Sequence, residues 1–73
     1  MNAQARDRIA ERMITHMRRV NASYLSGTLQ EIGATSYLCG AEEVLLSLDI
    51  PYRSEWDARR YTSLTLDGVT YPV

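Results

Sequence analysis

The chain has 73 residues, of which 23% are charged and 45% hydrophobic, and its formal net charge is −1. This balance is typical of one folded domain and is too apolar for a disordered chain. The length excludes a dinucleotide-binding fold or a barrel. The single cysteine, Cys39, excludes an intrachain disulfide and a cysteine-rich zinc site. A core this small supplies only about 3–5 kcal/mol, so close packing or a partner subunit has to complete its stability.

The N-terminal third of the chain predicts a single amphipathic helix over about residues 3–20. Asn2 can cap its start, and no Gly or Pro interrupts it. Its apolar side chains recur on one stripe of a helix, at Ile9, Met13, Met17 and Val20.

Two shorter helices are predicted next, over residues 23–32 and 41–49. Gly33 suits the position just after the first of them, and Gly40 suits the N-cap of the second. Leucines and Val44 cover most of the circumference of the 41–49 helix, which predicts that it is the central, most buried one. Residues 35–39 fit either a backward extension of that helix or an extended stretch.

The last third of the chain predicts a β-hairpin over about residues 60–73. Asp67-Gly68 separates two runs of strand-forming residues and favours a two-residue type I′ turn. That turn places the apolar residues on one face, pairing Leu66 with Val69, Leu64 with Tyr71, and Thr62 with Val73.

Before the hairpin, Pro51 ends the helical region, and Ser54 can cap a short turn of helix through residues 55–57. The expected fold class is therefore α+β, a small three-helix domain with a C-terminal β-hairpin packed on the helices.

Charge is segregated along the chain. Residues 1–19 hold five Arg and two acids, whereas residues 20–52 hold four acids and no base. All eight bases are Arg, and the aromatic residues are five Tyr and one Trp, types that are enriched at protein interfaces. The candidate partner-binding residues are Arg8, Arg12, Arg18, Arg19, Tyr24 and Trp56. The plainer alternative is that the arginines form a solvated helix face.

Catalytic constellations are weak. His16 and Cys39 are the only His and Cys, but nothing in the sequence brings them together as a nucleophilic pair. Glu42 and Glu43 are adjacent, so on a helix they point about 100° apart and cannot face each other. The sequence contains no glycine-rich phosphate loop and no calcium-loop spacing. It therefore predicts no catalytic residue, cofactor or metal ion, and a protein that is not an enzyme.

These observations favour a small non-enzymatic protein-binding module, a regulator or inhibitor that acts by protein–protein interaction. Its size and lack of motifs would suit a phage or plasmid accessory protein. A homodimer is a further expectation, through the hairpin edge or the apolar stripe of the first helix. No apolar run is long enough to span a membrane, and no signal peptide is apparent, so a cytoplasmic location is expected.

The alternative is a winged-helix-like DNA-binding transcriptional regulator, because three helices followed by a hairpin is the element order of such proteins. Nucleic acid is the less favoured partner, since Glu42, Glu43 and Asp67 lie where a winged-helix protein would meet phosphates and bases.

Overall fold

The computed structural model describes residues 1–23 and 29–73, and the side chains of α2 from residue 32 onward. Two helices precede a three-stranded antiparallel sheet of order β1-β2-β3. The α+β class is therefore correct, but the prediction of three helices is wrong. The elements are α1 (Ala3–Ser23), α2 (Leu29–Ser47), β1 (Tyr52–Asp57), β2 (Arg60–Leu66) and β3 (Val69–Pro72).

The first helix forms as its periodicity predicts and is the central element of the fold. The Asn2 side chain accepts a hydrogen bond of 2.7 Å from the Ala5 amide, which caps the helix N-terminus. One side of α1 packs against α2 and another against β2. Its buried residues are Ala10, Met13, Ile14, Met17, Val20 and Ser23.

The two shorter predicted helices are one continuous helix in the described part of the chain. Residues 35–39 are helical, and Gly33 and Gly40 lie inside α2 rather than at helix ends. Neither glycine has the positive φ that a C-terminal cap requires. Each costs about 1 kcal/mol relative to Ala. The helix passes through them because one buried stripe packs on α1, formed by Ala34, Leu38 and Leu45, with Ala41 half-buried beside it.

The predicted burial of the 41–49 segment is also wrong. Leu45 is buried, but Val44, Leu46 and Leu48 are 58%, 60% and 63% exposed. The reason is that α2 packs mainly on α1, with Glu42 approaching Tyr52 of the sheet, so the remaining sides of α2 lie at the surface.

Residues 55–57, predicted as a turn of helix, belong instead to β1. Pairing with β2 determines this, and a bulge next to Glu55 leaves Thr62 of β2 without an opposite residue. Ala58 and Arg59 connect β1 to β2 with φ of 50° and 67°. Non-glycine residues adopt such angles uncommonly, so the sequence carries no recognisable signal for this turn.

The C-terminal hairpin has the predicted turn and register. Asp67 and Gly68 have φ of 50° and 84°, as a type I′ turn requires. Leu66 pairs with Val69 and Leu64 with Tyr71. Leu64 and Leu66 are fully buried against α1, so the apolar face of the hairpin contributes directly to the core.

Candidate protein-binding surface

An apolar groove lies between the two helices on the side facing away from the sheet. Its volume is about 460 Å³. Ile9 of α1 forms one wall, and Tyr37, Val44 and Leu48 form much of the other. Gly40, which has no side chain, and Ala41, which has only a methyl group, leave the space open and form its floor. Such a concave apolar surface suits the insertion of bulky apolar side chains.

Beyond the groove, α2 exposes further apolar side chains among polar ones such as Thr35 and Glu43. Ile32 is 63% exposed, and Leu46 projects from a different side of the helix from Val44. A helix that is apolar around most of its circumference is normally covered on more than one side. Only the side facing α1 is extensively covered here.

A stacked aromatic pair lies at the end of the groove formed by Tyr37, opposite the end formed by Leu48. The rings of His16 and Tyr37 are parallel within 5°, with their centroids 3.7 Å apart. His16 Nδ1 lies 2.8 Å from the Arg12 carbonyl oxygen, to which its N–H donates in the matching tautomer. This bond and the stack fix the imidazole between the helices. Arg19 borders the neighbouring hollow, which is lined also by His16, Gly33, Ala34 and Tyr37.

Three of the predicted arginines form a row along α1, hereafter the arginine row: Arg8, Arg12 and Arg19. All three are exposed, and their spacing places them on one side of the helix. Arg12 and Arg19 are four residues before and three after His16, so they flank the ring that stacks on α2. The row therefore borders the groove and the apolar surface of α2.

The other predicted residues lie apart from this row. Arg18 is exposed and projects about 100° away from Arg19. Trp56, which is 51% exposed, stacks on Tyr61 on the side of α1 that faces the sheet. Tyr24 lies outside the described residues. The structure thus brings together Arg8, Arg12 and Arg19, but does not bring Arg18 or Trp56 to them.

Polar contacts hold α1 to the sheet at both ends and so fix the orientation of α1 on the sheet. Arg6 Nε donates to the Tyr71 hydroxyl at 2.9 Å, and that hydroxyl donates to Asp7 at 2.5 Å. Near the other end of α1, the side-chain amide of Asn21 exchanges two hydrogen bonds with the backbone of Tyr61. No local pattern singles out these residues, because their partners are 40 or more positions away along the chain.

Three tyrosines between the layers have altered acidity. Burial is the main cause that raises the pKa of Tyr52, Tyr61 and Tyr71 above the ordinary value of 10.0. The Glu42 carboxylate further raises the pKa of Tyr52, and the hydrogen bond to Asp7 does so for Tyr71. The three hydroxyls therefore release their protons less readily than a free tyrosine does, and the Tyr71 hydroxyl donates a hydrogen bond to Asp7.

The described side chains assemble no recognisable catalytic centre. Cys39 is two residues past Tyr37, so it projects about 160° around α2 from the ring that stacks on His16. A Cys–His pair therefore does not form. Among the described residues, no three His, Cys, Asp or Glu side chains group closely enough to hold a metal ion. Within the same part of the chain, neither helix is long and apolar enough to cross a membrane.

Sequence reasoning missed the apolar surface of α2 because it assigned those residues to the core. One signal was available: Val44, Leu45, Leu46 and Leu48 cover too wide an arc for a single buried face.

Comparison with known proteins adds no assignment: the chain matches no protein-family model, no curated protein and no solved structure.

Proposed function

We propose that this protein is a non-enzymatic protein-binding module, a regulator or inhibitor, whose binding face is the outer side of the α1–α2 hairpin. The observation that carries the proposal is the exposure of Val44 and Leu48, which are 58% and 63% accessible and line the groove together with Tyr37. Large contiguous apolar patches are uncommon on monomeric proteins and typically mark interaction sites.

The composition of this face is that of a protein interface. Its centre is apolar and concave, and it includes an aromatic ring, Tyr37, and small residues that permit close approach. Its border carries the arginine row, and Arg is one of the residues that most often dominate binding energy. A charged border around an apolar centre excludes water from the contact and sets which partners are accepted.

The winged-helix alternative loses the fold analogy on which it depended. A winged helix needs a third helix to read the major groove, and the described elements include two. The arginine row also borders α2, which carries three acids and no base. The negative charge of these acids would repel the phosphates of a DNA backbone that extended across this face.

A photo-crosslinking residue placed at Val44 tests the proposal in the native host. Val44 is exposed, so the replacement leaves the core intact. The matched control places the same residue at Thr70, which is exposed on β3. We expect discrete protein adducts from position 44 and none from position 70. Absence of adducts, or equal adducts from both positions, would contradict a protein-binding role for this face.

A further inference from the structure

The proposed function leaves the partner open, and the structure offers a specific candidate. Resting on that proposed function, we infer that the outer face of the α1–α2 hairpin binds a second copy of this chain. The two hairpins form a four-helix bundle in which α1 of each copy lies over α2 of the other. This arrangement covers Val44 and Leu48 and fills the groove from both sides.

The available area fits such a dimer. A stable interface buries about 800 Å² on each partner. Two adjacent helices of 21 and 19 residues present a face of comparable size. A chain with so small a core also gains stability from a partner subunit, because binding that is specific for the folded state shifts the folding equilibrium.

The charges of the two helices are complementary. From Ala3 to Ser23, α1 carries five Arg and two acids, whereas α2 from Leu29 to Ser47 carries three Glu and no base. Two orientations bring such hairpins face to face. One stacks like on like, α1 over α1, and opposes the arginine row of one copy to that of the other. The other crosses them, α1 over α2, and opposes bases to acids, so electrostatics favours this one.

The crossed arrangement predicts a particular ion pair. The stack of His16 on Tyr37 places these residues level along the bundle, and Ile9 meets Val44 in the groove. The helices therefore run antiparallel, and residue 10 of α1 lies level with Glu43 of α2. A two-fold axis parallel to the helices preserves these levels. Exposed Glu43 of one copy, next to Val44 at the edge of this face, then lies level with the gap between Arg8 and Arg12 of the second copy.

The two surfaces first expected to mediate self-association are less suitable. The apolar stripe of α1 is buried inside the chain, at Met13 and Met17 among others. On β3, the register directs the backbone of Thr70 and Pro72 outward, and Pro72 has no N–H to donate. On β1, the exposed Arg53–Glu55 ion pair and the neighbouring bulge discourage addition of a strand.

Sedimentation equilibrium of the purified chain tests this dimer by a charge exchange. The wild-type protein should be dimeric at about 100 μM, with twice the 8.3 kDa mass of the chain. Glu43→Arg should weaken the dimer about tenfold or more, because Arg8 and Arg12 then face a third positive charge. Adding Arg8→Glu and Arg12→Glu to that variant should restore most of the affinity.

Arg18→Glu is the matched control, since it makes the same charge change on α1 away from the proposed interface, and it should leave the dimer unchanged. Val44→Asp should abolish the dimer while far-UV circular dichroism stays that of the folded chain. If Val44→Asp unfolds, the charge exchange between Glu43 and the two arginines still tests the dimer, because residue 43 is exposed and its replacement leaves the core unchanged.

A monomeric wild-type chain at about 100 μM, or no rescue in the exchanged variant, would overturn the dimer. The crosslinks from position 44 would then test the proposed function separately from the dimer. Adducts with other proteins would support it, and their absence would remove both proposals.

Discussion

Asn21 and Tyr61 are joined by a reciprocal pair of hydrogen bonds. Asn21 Nδ2 donates to the Tyr61 carbonyl at 2.9 Å, and the Tyr61 amide donates to Asn21 Oδ1 at 2.7 Å. The side chain thus takes the place of a neighbouring strand beside β2, close to the bulge opposite Glu55. This contact determines how the C-terminal end of α1 lies on the sheet.

Replacing Asn21 with Ala should reduce the free energy of unfolding by about 2 kcal/mol, because each net hydrogen bond contributes about 1 kcal/mol. Urea unfolding followed by the fluorescence of Trp56, which stacks on Tyr61, measures the change. Asn21→Asp keeps the oxygen that accepts from the Tyr61 amide but loses the N–H that donates to the Tyr61 carbonyl. It should therefore also destabilise the fold, through the direct loss of one hydrogen bond rather than two. Equal stability of wild type and Asn21→Ala would show that the pair adds nothing to folding.

Gly68 should be intolerant of β-branched residues. Its φ is +84°, and no described heavy atom lies within 4 Å of the position that a Cβ would occupy, so any penalty comes from the backbone alone. We expect Gly68→Val to lower stability by about 1–2 kcal/mol or more, measured as the urea midpoint. Gly68→Asn is the control, since Asn tolerates this region better, and it should cost distinctly less. Equal losses in both variants would argue against backbone strain as the cause.

Gly33 and Gly40 should respond in the opposite direction. Both have helical backbone, and a Cβ at either would meet open space among the described residues. Ala at either position should therefore stabilise the isolated chain by about 1 kcal/mol. Urea unfolding at low micromolar concentration measures this. A loss of stability at that concentration would mean that the glycines serve packing within the chain.

The prediction from sequence succeeded where local pattern determines structure. The stripe of α1 needs only helical spacing, and the Asp67-Gly68 turn needs only its two residues. It failed at α2 and β1, where distant contacts decide. Gly33 and Gly40 resemble helix ends, but the stripe of Ala34, Leu38 and Leu45 packs on α1 and carries the helix through them. β1 exists because β2 pairs with it through the Ala58-Arg59 turn.

The candidate surface was predictable in part for the same reason. Helical spacing alone places Arg8, Arg12 and Arg19 together on an exposed side. The wide apolar arc of residues 44–48 indicates that part of α2 is exposed, but which part depends on how α2 packs on α1, and that contact is not visible in the local sequence.

The tyrosines predict a loss of stability at alkaline pH. Folding raises the pKa of Tyr52, Tyr61 and Tyr71, so the folded state holds their protons more tightly than the unfolded state does. Their contribution is complete below the ordinary pKa of 10.0 and is lost as pH rises through the folded values. Urea midpoints measured from about pH 8 upward should fall above about pH 10. The urea midpoint of Tyr71→Phe should be lower at about pH 8, because the variant loses the hydrogen bonds to Arg6 and Asp7. That midpoint should also depend less steeply on pH than the wild-type one. A midpoint that stays constant above about pH 10 would contradict this linkage.

The arginine row offers the clearest separation of protein binding from nucleic-acid binding. If Arg12 and Arg19 contacted phosphates, random duplex DNA would bind at low salt. Each contact would also contribute about 0.9 to the slope of log affinity against log salt. We expect no retardation of such a duplex in a mobility-shift titration, because the chain has a net charge of −1 and α2 carries three acids and no base. The double variant Arg12→Glu and Arg19→Glu should remain folded and lose the protein adducts formed from position 44, whereas Arg18→Glu should keep them. Tight, salt-sensitive duplex binding that disappears in the double variant would instead make the row a phosphate-binding surface.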